Sequence, residues 1–185
     1  MVQLSTLLVA LVAAAVSVHA APIQKRIAQD TPSAGLPFEQ ACDAAGGGQQ
    51  CNSIKVSAIA TLLAAAGPCA QQDSADQMID LAKQSLKSDK ATIDAAVTFS
   101  QQPRNSPTSE KVLYCNKAPK NQELQGTFQC QFQGTKATFV GGLQPGAAGT
   151  VPFGQKTVNP AGSCPLNPGG PIPDGQQLSD ILKSG

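Results

Sequence analysis

At 185 residues the chain is long enough for one domain and too short to divide comfortably into several. Only 14% of its residues are charged and the formal net charge is +1, so nothing in the composition favours nucleic acid or an anionic membrane surface as a partner. At 41% apolar residues it is also too hydrophobic to stay wholly disordered.

Residues 1–20, MVQLSTLLVALVAAAVSVHA, read as a signal peptide. The apolar run is too short for a comfortable membrane span, and Val18-His19-Ala20 offers small residues on both sides of His19, a cleavage pattern ending at Ala20. Residues 21–26, APIQKR, close on the pair Lys25-Arg26, where kexin-type proteases of the Golgi cut. The expected mature domain is therefore 27–185. It contains no second long apolar run, and its end, QQLSDILKSG, lacks the hydrophobic tail of a lipid-anchor signal. A secreted, extracellular protein without a membrane anchor is expected.

Residues 27–37 form a polar lead-in, and 38–45 a short helical turn ended by Gly46-Gly47-Gly48. No strand precedes this glycine run and no Lys-Ser or Lys-Thr follows it, so it reads as a linker and not a phosphate loop. Between Cys51 and Cys69, Val56, Ile59, Leu63 and Ala66 recur at helical spacing and the other faces are also mostly apolar. Such a segment is expected to be a buried central helix over 53–66, stopped by Gly67-Pro68.

A second helix is expected over 73–86, with Ala75, Met78, Ile79, Ala82 and Leu86 on one stripe. Asp73 reads as its N-cap, and Asp76, Asp80, Lys83 and Lys87 are ordered to complement the helix dipole. An acidic metal or acid–base cluster is the alternative reading of the three aspartates. A third helix is expected over 89–101.

The pattern then changes. KVLYC (111–115) is a strand candidate. In TFQCQFQ, Phe128, Cys130 and Phe132 alternate with Thr127, Gln129 and Gln131. Gly134-Thr135 provides a turn and 137–140 a returning strand. Lys111, Lys117 and Lys120 read as solvated loop charges. Beyond Gly141 the chain is rich in Pro and Gly, with a last helical turn over 176–182. The expected fold class is α+β: three helices in the N-terminal half, a small antiparallel sheet at about 111–140 and an irregular C-terminal tail, stabilised by disulfides.

All six cysteines, Cys42, Cys51, Cys69, Cys115, Cys130 and Cys164, lie beyond the signal peptide, and an even number in an exported chain implies disulfides. A metal site is poorly supported, because there is no CxxC and the one histidine, His19, leaves with the signal peptide. A straight helix over 53–66 would be about 21 Å long, whereas a disulfide needs Cα atoms within about 7 Å. Cys51 is therefore not expected to bond Cys69. Cys42 reaches either Cys51 or Cys69, and Cys164 is expected to tie the tail to the body.

A mature chain without histidine excludes Ser-His-Asp and Cys-His nucleophile systems. Glu39, Asp43, Glu110, Glu123 and Asp174 are the candidate carboxylates for a hydrolase, but none sits in a motif, and there is one tyrosine and no tryptophan to build a sugar platform. A protease inhibitor would present loop 102–109 with an exposed Arg104.

The segments ACDAAGGGQQC, AAGPCAQQDSADQMIDLAKQ, QQPRNSP, YCNKAPKN, ELQGTFQCQF and NPAGSCPLNPGGPIPDGQQL resemble those of small secreted six-cysteine proteins of mushroom-forming fungi. That group has no established activity, so the resemblance implies a secreted fungal protein and assigns no catalytic residue. The leading expectation is a non-enzymatic protein that binds an extracellular protein or polysaccharide at a wall or host surface. No cofactor is expected.

Overall fold

The computed structural model describes residues 31–184. The signal peptide, the segment 21–26 and the processing residues Ala20, Lys25 and Arg26 lie outside these residues. A short 3-10 turn (Thr31–Gly35) leads into α1 (Leu36–Ala44), α2 (Gln49–Thr61), α3 (Ala70–Ser85) and α4 (Lys90–Phe99); α5 (Leu178–Ser184) closes the chain.

Local chemistry accounts for these boundaries. Pro37 sits in the first turn of α1, where its missing N–H is no loss. The Asp89 carboxylate accepts hydrogen bonds from Thr92 N and Thr92 Oγ1, both at 2.8 Å, and so caps α4. The glycine run between α1 and α2 is dictated by a disulfide. Cys42 and Cys51 bond across the turn, and a Cβ at Gly47 would lie 2.4 Å from Cys51 Sγ and 2.7 Å from Cys42 Sγ.

The core helix is α3 and not the expected 53–66 segment. The stripe Ala75, Met78, Ile79, Ala82 and Leu86 is buried, packed with Phe38, Leu62, Phe99 and Leu124. In α2 only Cys51 and Ala58 are buried, while Val56 is 59% exposed and Leu63, beyond the helix end, is 45% exposed. Alanines make this stretch look apolar on every face without supplying much surface to bury. The helix also stops early. Asn105 N donates to Leu62 O at 2.8 Å, and the Arg104 guanidinium donates to Ala66 O at 2.7 Å and Pro68 O at 3.3 Å. Carbonyls that would have continued or closed the helix are held by another part of the chain.

The expected α+β class is wrong. Among the described residues four helices, not three, occupy the N-terminal half, and there is no β-strand or sheet, only isolated bridges such as Lys111 with Phe139 and Phe132 with Ile172. Segment 127–133 does run between neighbours, but two of its three glutamines do not face water. Gln129 and Gln131 are buried along with Cys130 and Phe132. Gln131 Oε1 accepts from Val112 N and Gln131 Nε2 donates to Val112 O, both at 2.9 Å. A side-chain amide thus takes both backbone groups that a paired strand would use. The backbone of 130–133 bonds instead to Gln101, Gly162 and Ile172. Gly134 makes no hairpin; its N–H donates to Asp174 Oδ1 at 2.8 Å.

Bridges Cys69–Cys115 and Cys130–Cys164 complete the framework, so all six cysteines are paired. The first ties the entry to α3 to segment 111–115. The second anchors the tail to a small second core of Phe132, Ile172 and Leu178. Buried glutamine amides join this half to the helices: Gln101 Oε1 accepts from Leu166 N at 2.9 Å and Gln102 Oε1 from Leu178 N at 2.7 Å.

Candidate functional site

The three aspartates of α3 are a docking strip. Asp73 pairs with Lys117 at 2.7 Å, and Asp80 pairs with Lys120. Between them the buried Asp76 carboxylate accepts from Lys120 N at 3.0 Å and Asn121 N at 2.7 Å. Lys83 completes the seam by donating to Asn121 Oδ1 at 3.0 Å and pairing with Glu123 at 2.8 Å. Burial pushes the Asp80 carboxyl up, but hydrogen bonds from Lys120 and Asn121 outweigh it and hold the carboxyl below its usual value. The helix itself begins at Ala70, so Asp73 lies in its first turn and is not the N-cap. Lys117 and Lys120, read from the sequence as loose surface charges, are the partners of the acidic strip. No group of three or more potential metal ligands gathers among the described residues.

Arg104 is buried, not exposed. Its guanidinium closes the carbonyls beyond α2, and burial lowers its pKa to about 10. A residue spent in this way cannot enter a protease cleft, which removes the basis of the inhibitor reading.

The candidate hydrolase carboxylates are spread over different elements, except that Glu39 and Asp43 share α1. Glu39 accepts from Lys55 at 2.9 Å and Asn52 at 2.7 Å, which together keep it below the ordinary range. Glu123 is lowered by Lys83, and Glu110 by the Thr108 hydroxyl. Asp174 holds Gly134, and Asp43 is exposed. The structure gives each of the engaged groups a separate structural task.

A concavity in the irregular half encloses about 370 Å³. Its floor is Tyr114 and Phe139, with ring centroids 6.0 Å apart and planes tilted by 55°. Tyr114 is fixed from several sides: its N–H donates to Gly149 O at 2.8 Å, Cys115 beside it is bonded to Cys69, and Phe128 meets its ring edge-on. Burial raises the Tyr114 phenol's pKa, partly offset by a hydrogen bond with Gln131. The walls are Pro145 to Val151 and Lys156 to Gly162, with Thr150 Oγ1 accepting from Gly146 N at 2.9 Å to hold the first wall's turn. The Lys111 ammonium stands 5.8 Å over the Phe139 ring centroid, and Lys156 lies on the other wall. No carboxylate among the described residues lines the cleft. A tighter space beside Gln71 and Tyr114, about 30 Å³, has room for little more than a water molecule.

Sequence reasoning missed this cleft. It arises where a strand candidate, 111–115, meets a breaker-rich segment, 145–162, that has no periodicity to read. The signal available was the presence of Val151, Val158 and Lys156 in a stretch otherwise made of turn formers. No protein-family model, curated protein or solved structure matches this chain.

Proposed function

We propose that this is an exported binding protein that acts at an extracellular, wall or host surface without covalent chemistry on its partner. Its mature form is residues 27–185, released by signal-peptide cleavage after Ala20 and a second cut after Arg26. The helices are the scaffold, and the irregular half from Lys111 to the tail carries the contact surface. The likeness to secreted fungal proteins and the three disulfides support export. No helix among the described residues is long and apolar enough to cross a membrane.

The observation that carries the binding reading is the division of labour among polar groups. The cleft is aromatic and cationic with no carboxylate, whereas Glu39, Asp76, Asp80, Glu123 and Asp174 hold elements together. The test is to incubate residues 27–185 with washed wall fragments and with purified insoluble wall polysaccharide. Retention of the protein with no soluble sugar or peptide released is the expected result. Release of such products, or no retention on either material, contradicts the proposal.

A further inference from the structure

We propose that the cleft floored by Tyr114 and Phe139 binds a small aromatic carboxylate. The inference rests on the binding reading in one respect, that the cleft holds its ligand without transforming it. Size is the first argument. An apolar cavity of about 150 Å³ admits benzene, and this cleft encloses about 370 Å³, enough for a ring with a short substituent. Shape is the second. The floor presents two buried rings, one tilted against the other, and Pro145, Val151 and Val158 add apolar wall. A flat apolar ligand gains an offset or edge-on contact there.

Charge fixes the rest. Lys55, Lys83, Lys90, Lys117 and Lys120 each pair with a carboxylate, but Lys111 and Lys156 make no ion pair among the described residues, and both line the cleft. Glu110, next in sequence to Lys111, is turned to the Thr108 and Thr138 hydroxyls. The cleft therefore carries two cations and no anion, beside an aromatic floor. A carboxylate on an aryl group meets both features, whereas a neutral aryl compound meets only one, and an aryl amine is repelled.

The probes are 3-phenylpropionate and its neutral isostere 3-phenylpropanamide, titrated into residues 27–185. The chain has one tyrosine and no tryptophan, so tyrosine emission reports on Tyr114 alone. The acid is expected to change the emission saturably and to bind about tenfold more tightly than the amide, as one or two charge-assisted contacts provide. Raised salt weakens the acid only. In the double variant Lys111→Gln/Lys156→Gln the acid falls to the amide's affinity and the amide is unchanged. Equal binding of acid and amide to the unaltered protein, or no change of emission with either at millimolar concentration, overturns the inference, whether or not the variant folds. Hydrolysis of the ethyl ester of the acid would instead contradict the non-catalytic reading and leave the preference for the anion standing.

Discussion

Arg104 and Gln131 show how single polar side chains replace regular structure in this protein. Arg104 supplies donors to the Ala66 and Pro68 carbonyls in the connection between α2 and α3, where no helix satisfies them. Arg104→Met removes those donors while keeping the apolar stem, and is expected to lower stability by about 3 kcal/mol, read as a fall in the urea midpoint. An unchanged midpoint would show that water satisfies these carbonyls as well. Native protein is also expected to resist trypsin at this bond, in contrast to an inhibitor loop. Gln131→Ala leaves Val112 N without its acceptor and Val112 O with only the longer bond from Gln129 Nε2, and is expected to cost about 2 kcal/mol. Hydrogen exchange should then quicken at Val112 N before elsewhere. Neither role was legible in the sequence. Charged residues and glutamines are mostly exposed, and what buries these two is a set of carbonyls and amides distant along the chain.

At the scale of elements, legibility followed the size of the apolar side chains. The α3 stripe is made of Met, Ile and Leu spaced with alanines, and it is buried. The 53–66 segment owed its apparent hydrophobicity to alanine, and its two large exposed residues, Val56 and Leu63, lie on the side away from the core. Similarly, the alternation in 127–133 was real, but a period of two predicts a half-buried strand only when the polar set faces water. Here the face expected to meet water is itself buried, filled by the Gln129 and Gln131 amides, and a sheet is not needed to satisfy the backbone. The acidic strip was visible as residues but not as a seam, because its partners come from a loop whose path the sequence does not specify. Asp76→Ala leaves Lys120 N and Asn121 N without their acceptor and is expected to destabilise by about 2 kcal/mol. Hydrogen exchange should rise over 117–123 and stay low in α3 itself. Equal loss of protection in both would mean that the loop and helix unfold as one unit.

For the whole molecule, the charges predict acid sensitivity. Glu39, Asp80, Asp89, Glu110 and Glu123 are held below their ordinary values of 4.5 for Glu and 3.8 for Asp. A carboxyl whose folded value is depressed adds stability that is fully present above the ordinary value and is lost as pH falls through the folded one. The urea midpoint should therefore hold between pH 7 and about 5 and drop on further acidification. A flat profile down to pH 3 would show that these contacts are screened by solvent. An irregular half without a sheet is fastened to a four-helix scaffold by one covalent tie, Cys69–Cys115, and each half is braced by a disulfide of its own, Cys42–Cys51 in the helices and Cys130–Cys164 in the irregular half. Non-reducing peptide mapping of the protein recovered from a secreting host is the sharpest test of this arrangement: Cys42–Cys51, Cys69–Cys115 and Cys130–Cys164 with no free thiol are expected, and a fragment joining Cys51 to Cys69, or Cys164 to any cysteine other than Cys130, would refute it.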